Sequence, residues 1–199
     1  MNSNDILRRT RFIFDFNDAK MTALMSSKDK KITRAEISDF LKKDDDPAQV
    51  TVKDSQLAVF LNSLIEEKRG KREGVEPVVE KRLTNNMVFM KLKIALSLKA
   101  EDVLDILKLA NFKLSKHELS AFFRKPGHKH YRECKDQILR NFLHGLQVKY
   151  RTDAVDTKPQ KKAEPMKTTT KVKAKPQSKP KPEPELKSDF QWKPRPKSS

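Results

Sequence analysis

Cysteine and glycine are both scarce in this chain of 199 residues, and each shortage excludes a class of protein. Cys134 is the single cysteine, and one thiol cannot close an internal disulfide, so stability has to come from packing, as in most cytosolic proteins. Only four glycines are present, too few and too scattered for a Gly-rich phosphate-binding loop. Apolar runs long enough to span a membrane are also missing, and we expect a cytoplasmic protein without membrane contacts.

The sequence also lacks the signatures of common enzymes. It has no nucleophile elbow, no His-Glu-x-x-His motif, and no paired carboxylates in an apolar setting. Cys134 and His144 are conceivable as nucleophile and base, but a spacing of ten residues does not by itself put them on one helix face. We therefore predict that the protein is not an enzyme and that it needs no cofactor.

Positive charge is abundant. The net charge is +17, from 44 Lys and Arg against 27 Asp and Glu. Residues 152–199 hold 13 basic and 6 acidic side chains, so the excess is shared between this segment and the rest of the chain. Such a charge attracts polyanions, nucleic acid or anionic lipid, without giving specificity.

The chain contains an internal repeat. A shift of 82 positions places the first half on the second without a gap and preserves residue type over about 60 residues. The matched pairs include Asn4 with Asn86, Phe40 with Phe122, Asp54 with Asp136, Leu57 with Leu139, Phe60 with Phe142, and Leu64 with Leu146. This pattern predicts two copies of one unit, each burying its own apolar faces.

Each unit is predicted to contain four helices, because apolar residues recur with helical spacing in four segments. Thr33 followed by Glu36, and Ser115 followed by Glu118, are capping boxes that mark the start of the third helix in each unit. The predicted fold class is all-α, a tandem duplication of a four-helix unit. The predicted domains are residues 1–68, a linker 69–85, residues 86–151, and a tail 152–199.

The tail differs in composition from the repeats. Eight of the 11 prolines lie between Pro159 and Pro196, among Lys, Thr, Ser and Glu. Apolar side chains are too few to offset the entropy of ordering, so the tail is predicted to be disordered.

One stretch of the second unit resembles a known family. It reads Leu114-Ser-Lys-His-Glu-Leu-Ser-Ala-Phe-Phe-Arg-Lys-Pro-Gly-His-Lys-His-Tyr-Arg-Glu-Cys134, and it is followed by Leu139-Arg-Asn-Phe-Leu-His-Gly-Leu146. With the opening Asn4-Asp-Ile-Leu-Arg-Arg, it is similar to the YehS-like proteins, uncharacterised bacterial proteins with a tandem domain of unknown function. The resemblance covers about residues 1–150 and implies a bacterial cytosolic protein. It supplies no catalytic residues, and the tail departs from the family pattern.

The strongest candidate site is a basic loop after the third helix of the second unit. Its members are Arg124, Lys125, His128, Lys129, His130, Tyr131 and Arg132. Its cations suit phosphates, its histidines can donate to phosphate oxygens when protonated, and Tyr131 can stack on a base. In the alternative interpretation the loop is only solvated and its charges pair with Glu133 and Asp136.

Two further features fit nucleic acid. A second basic run contains Lys68, Arg69, Lys71 and Arg72. The second and third helices of each unit also suggest a helix-turn-helix, whose exposed positions would be Lys116, His117, Ser120 and Arg124, or Arg34, Ala35, Ser38 and Lys42 in the first unit. Two helices that meet at an angle are equally common in any helical bundle.

A metal site is a weaker candidate. His128, His130, Cys134 and His144 lie within 17 residues, and Cys with His suits zinc. The first unit has Asp46, Ala48, Val52 and Asn62 at these positions, and no Cys-x-x-Cys pair exists. We predict no metal.

Two classes of function remain. The first is a nucleic-acid-associated protein that contacts the phosphate backbone through the basic loop, the Lys68–Arg72 run and the tail. The second is a protein–protein interaction module, in which two helical units clamp a partner or dimerise. The sequence favours the first narrowly and leaves the oligomeric state and the choice between DNA and RNA open.

Overall fold

The computed structural model describes residues 1–28, 30–71, 74 and 77–151 of the chain. These residues form helices joined by turns and contain no strand. The helices are α1 (Ser3–Phe14), α2 (Asp18–Met25), α3 (Arg34–Leu41), α4 (Asp54–Arg69), α5 (Asn85–Ala95), α6 (Ala100–Leu109), α7 (Lys116–Phe122) and α8 (Asp136–Tyr150). The predicted all-α tandem duplication is confirmed. The predicted tail, 152–199, lies outside the described residues.

Local signals set the helix boundaries. The Thr33 side chain accepts from the Glu36 amide while the Glu36 carboxylate accepts from the Thr33 amide, and Ser115 and Glu118 repeat the arrangement. Both predicted capping boxes are therefore confirmed. Helix α1 begins at Ser3, because Asn2 caps it by accepting a hydrogen bond from the Asp5 amide, 2.7 Å away.

The two repeats do not bury their apolar faces separately, and in this respect the prediction was wrong. Helix α5 of the second repeat packs on α4 of the first, and α1 of the first packs on α8 of the second. One apolar core runs through both repeats, and Phe60 and Phe142 are both fully buried in it. An amphipathic pattern shows that a helix has a buried face, but it does not identify the helix that covers it.

The contacts between the two repeats are nearly symmetric. Leu83, just before α5, donates its amide hydrogen to Asp54 at the start of α4, 3.0 Å away. The amino group of Met1, just before α1, donates to Asp136 at the start of α8. Farther along, Lys91 of α5 contacts Asn62 of α4, so these two helices run in the same direction. Val78, before α5, accepts from the side-chain amide of Asn62 in α4 at 3.0 Å.

Candidate nucleic-acid interface

The basic loop joins α7 to α8 through two consecutive tight turns. The amide of His128 donates to the Lys125 carbonyl at 3.1 Å, and the amide of Tyr131 donates to the His128 carbonyl at 2.7 Å. Gly127 has φ +88°, which suits the third position of a turn that begins Lys-Pro. The amide of Arg132 then donates to the Ala121 carbonyl at 3.2 Å, which returns the loop to α7.

A buried asparagine fixes the loop to α5. The side-chain amide nitrogen of Asn86 donates to the carbonyls of Phe122 at 2.9 Å and Arg132 at 2.8 Å. Its side-chain oxygen accepts from the Cys134 amide at 2.9 Å. Asn86 is only 6% exposed, so these bonds lie away from water and hold both ends of the loop. Sequence reasoning missed this residue as part of the site, although the matching Asn4 in the first repeat was a signal of a shared role.

The loop displays its charge to solvent. Lys125, His128, Lys129, His130 and Arg132 are exposed, whereas Arg124 and Tyr131 are half-buried. The Tyr131 ring therefore offers only part of its surface for stacking.

The loop cations have no acidic partners among the described residues. The ion pairs found there, with N···O distances up to 4.0 Å, include none made by Arg124, Lys125, Lys129 or Arg132. Asp136, which the alternative interpretation would pair with the loop, instead accepts from the amino group of Met1 and from Asn85.

The pKa shifts of Asp136 and Glu118 agree with these hydrogen-bond partners. The hydrogen bond from the Met1 amino group, helped by that from Asn85, holds the pKa of Asp136 below its ordinary value. Hydrogen bonds from Ser115 are the main cause of a lowered pKa at Glu118, to which the charge of Arg132 contributes. Arg132 thus acts on Glu118 through space without forming an ion pair.

The arginines of α1 differ from the loop cations. Arg8 pairs with Asp44 at 2.8 Å, Arg9 with Asp5 at 3.3 Å, and Arg11 with Asp18 at 2.7 Å. Their charges are already balanced by neighbouring carboxylates. Nearby carboxylates thus balance the positive charge of α1, whereas no carboxylate among the described residues forms an ion pair with the cations of the basic loop.

The histidines order the second turn of the loop. The amide of His130 donates to Nδ1 of His128 at 3.1 Å, and the two rings lie 5.7 Å apart. The other ring nitrogen of His128, Nε2, lies 3.4 Å from the Arg124 guanidinium. A neutral imidazole has one acceptor nitrogen, so it accepts from the His130 amide or from Arg124 but not from both.

The second basic run is separate from the loop. Lys68, Arg69 and Lys71 are exposed at the end of α4, and the Lys68 ammonium lies 5.6 Å from the centre of the Phe14 ring. Arg72 lies outside the described residues. None of the hydrogen bonds or ring contacts recorded for the described part of the chain joins this run to the basic loop.

Most of the positions predicted to face DNA in a helix-turn-helix are exposed, but some of their cations already have acidic partners. In the second repeat Lys116, His117 and Ser120 are exposed, but Lys116 pairs with Glu101. In the first repeat Arg34, Ala35 and Ser38 are exposed, and Lys42 pairs with Asp39 at 2.7 Å. Two of the cations that would face a groove are therefore neutralised by adjacent acids.

Cys134 does not join the exposed histidines. Its side chain is fully buried, and burial, followed by the charge of Asp136, raises the pKa of its thiol to about 12. His144 is exposed on α8, so the Cys134–His144 dyad considered from the sequence lacks an accessible nucleophile. Across residues 1–28, 30–71, 74 and 77–151, no three His, Cys, Asp or Glu side chains are grouped so that they could hold a metal ion.

Comparison with known proteins identifies both repeats. The family described as "protein of unknown function (DUF1456)" matches residues 3–70 and again residues 85–152. The chain belongs to this family. It is also 44% identical over 149 residues to the uncharacterized protein YehS of Escherichia coli (strain K12), a match that covers 73% of this chain and 94% of that protein. No solved structure matches.

The family match includes the whole basic loop and its anchor. Arg124, Arg132 and Asn86 lie inside the second matched segment, whereas almost all of the basic tail lies beyond it. The family itself has no assigned chemistry. Within the described residues, no helix is long and apolar enough to cross a bilayer.

Proposed function

We propose that this protein binds nucleic acid by contacting the phosphate backbone with its basic loop. The observation that carries the proposal is the position of Arg124, Lys125, Lys129 and Arg132. These cations sit on a loop that Asn86 anchors, and the described residues provide them with no carboxylate within 4.0 Å. An exposed cation without an acidic partner gains most from a phosphate, because no existing ion pair has to be broken.

The expected mechanism is charge neutralisation with release of counterions. Each phosphate neutralised on duplex DNA adds about 0.9 to the slope of log affinity against log salt concentration. Four loop cations would therefore contribute a slope of roughly three to four. Lys68, Arg69, Lys71, Arg72 and the basic tail would add to affinity without adding base preference, and Tyr131 would contribute limited stacking.

This role is one of binding rather than catalysis, and a compartment that contains nucleic acid, the cytoplasm, is the expected location. The second candidate, a protein-interaction module, is less favoured. The apolar faces of α4 and α5, and those of α1 and α8, are already buried against each other. A clamp between the repeats would have to separate these helices first.

The test compares two variants of the full chain that lose the same charge. The loop variant carries Arg124→Gln, Lys125→Gln, Lys129→Gln and Arg132→Gln. The control variant carries Lys81→Gln, Arg82→Gln, Lys113→Gln and Arg140→Gln, which are exposed cations outside the proposed interface. Each variant removes two lysines and two arginines and keeps the tail. A difference in affinity between the two variants therefore depends on where the lost cations lie and not on net charge.

Binding is measured by fluorescence anisotropy with labelled single-stranded and duplex DNA and RNA of about 20 nucleotides across a salt series. We expect the loop variant to bind at least about 10-fold more weakly and its salt slope to fall by about three, with a small effect in the control. Equal losses in the two variants would remove the loop from the proposal. Absence of salt-dependent binding by the unmodified chain would end the proposal and favour the protein-interaction alternative.

A further inference from the structure

The first repeat contains a second copy of the loop with the same backbone hydrogen bonds. The amide of Asp46 donates to the Lys43 carbonyl at 3.1 Å, and that of Gln49 donates to the Asp46 carbonyl at 3.0 Å. The amide of Val50, at the end of the loop, donates to the carbonyl of Asp39 in α3 at 3.2 Å. These three bonds are the counterparts, 82 positions earlier, of the bonds that shape the basic loop.

The two loops also share a side-chain hydrogen bond, although the accepting group differs between them. The Asp46 carboxylate accepts from the Ala48 amide at 2.9 Å, and at the equivalent place His128 Nδ1 accepts from the His130 amide at 3.1 Å. A carboxylate and a neutral imidazole nitrogen thus perform the same structural task in the two turns. The choice between them is consequently not imposed by the loop conformation.

The charges of the two loops are opposite. Residues 42–50 contain two lysines followed by three aspartates, a balance of −1, whereas residues 124–132 contain four cations, two histidines and no acid. Asp44 and Asp45 are exposed, as Lys129 and Arg132 are. A hydrogen bond from Arg8 is the main cause that holds the pKa of Asp44 below its ordinary value, so this carboxylate remains charged at neutral pH.

We infer that this inversion of charge restricts nucleic-acid contact to one of two equivalent loops, so the folded repeats hold one strand or duplex and do not bridge two. The inference rests on the proposed function. A phosphate brought to residues 44–50 would meet the carboxylates of Asp45 and Asp46, which form no ion pair within 4.0 Å among the described residues, beside Asp44, which is already paired with Arg8 at 2.8 Å. Like charges at close range cost free energy. The acidic loop therefore acts as a repulsive element and gives the protein one nucleic-acid-binding side.

An exchange of loop sequences tests the inference in the full chain. The forward graft places residues 126–132 on the first loop through Asp44→Pro, Asp45→Gly, Asp46→His, Pro47→Lys, Ala48→His, Gln49→Tyr and Val50→Arg. The reverse graft places residues 44–50 on the second loop through Pro126→Asp, Gly127→Asp, His128→Asp, Lys129→Pro, His130→Ala, Tyr131→Gln and Arg132→Val. A chain with both grafts keeps the natural net charge and is the matched control.

Stoichiometry is measured by sedimentation with a short labelled duplex, and bridging by energy transfer between duplexes that carry a donor or an acceptor. We expect the forward graft to bind one more duplex per chain than the natural protein and to increase energy transfer. The reverse graft should lose at least about 10-fold in affinity, and the double exchange should restore it with the natural stoichiometry. Because every variant keeps the tail, its contribution cancels.

A milder variant guards against a graft that fails to fold. Asp44→Asn, Asp45→Asn, Pro47→Lys and Val50→Arg install two cations but keep the Asp46 carboxylate that orders the turn, and this variant should gain a weaker second site. If the natural protein binds nucleic acid but neither folded variant gains a site, the inference fails while the proposed function stands. If the natural protein shows no binding, the proposed function itself fails.

Self-association is the other result that would overturn the inference. An acidic loop that serves to seat the basic loop of a second copy would give salt-sensitive oligomers of the natural protein without nucleic acid. Each single graft would abolish them, because both loops would then have one sign. Sedimentation of the natural protein and the grafts alone, at low and high salt, detects this outcome.

Discussion

Asn4 and Asn86 make the same three hydrogen bonds at equivalent positions of the two repeats. The Asn4 side chain donates to the carbonyls of Phe40 at 2.9 Å and Val50 at 2.7 Å, and accepts from the Val52 amide at 2.9 Å. Asn86 bonds in the same way to residues 122, 132 and 134. In both repeats, then, the first turn of one helix fixes the loop that precedes the fourth helix.

Replacing either asparagine with alanine should destabilise the protein. Each substitution leaves two carbonyls and one amide without a partner in a buried place, so we expect Asn86→Ala and Asn4→Ala each to cost about 2–4 kcal/mol. The measurement is the free energy of unfolding in urea. Asn141→Ala, at a partly exposed position on α8, is the control and should change stability by less than about 0.5 kcal/mol. A cost at Asn86 no larger than at Asn141 would show that the anchor is not important.

How much of this could be predicted from the sequence depends on how local the signal is. The helices, both capping boxes and the duplication follow from spacing and residue type within short segments. The pairing of α1 with α8 does not, because each apolar face fits several partners. Likewise, Asp136 follows the basic loop closely in sequence, yet its partner Met1 lies 135 residues away. The available charge of the loop became evident only once that contact was known.

Gly145 should not tolerate a larger residue. A Cβ atom there would press on the carbonyl oxygen of Ile106 and lie 2.8 Å from the carbonyl carbon, so α6 and α8 would have to separate. We expect Gly145→Ala to cost about 1–3 kcal/mol despite its higher helix propensity. Ser63 occupies the matching position on α4 and lines a surface groove there, so Ser63→Ala is the control and should be nearly neutral. Thermal unfolding distinguishes the two, and a stable Gly145→Ala variant would contradict the close approach.

Acid should weaken both capping boxes. Hydrogen bonds from Thr33 and Ser115 lower the pKa of Glu36 and Glu118, respectively, below the value in the unfolded chain. The unfolded chain then binds protons more readily, so this stabilisation is present above the unfolded pKa and is lost as the pH falls through the folded pKa. Urea unfolding between about pH 6 and about pH 3 should show less pH dependence in a Glu36→Gln, Glu118→Gln variant, because glutamine keeps the cap without titrating. An unchanged pH profile would argue against this linkage.

The thiol of Cys134 should be inert in the folded protein. Burial raises its pKa to about 12, so very little thiolate is present at neutral pH, and the side chain is fully buried. We expect a disulfide dye to react with the native protein at least about 100-fold more slowly than with the protein unfolded in urea. Loss of the Asn86 bond to the Cys134 amide should open this region, so Asn86→Ala should accelerate the native reaction, whereas Asn4→Ala, in the other repeat, should do so less. Rapid labelling of the unmodified native protein would show that the loop before α8 opens readily, and that the anchor seen in the structure does not hold it.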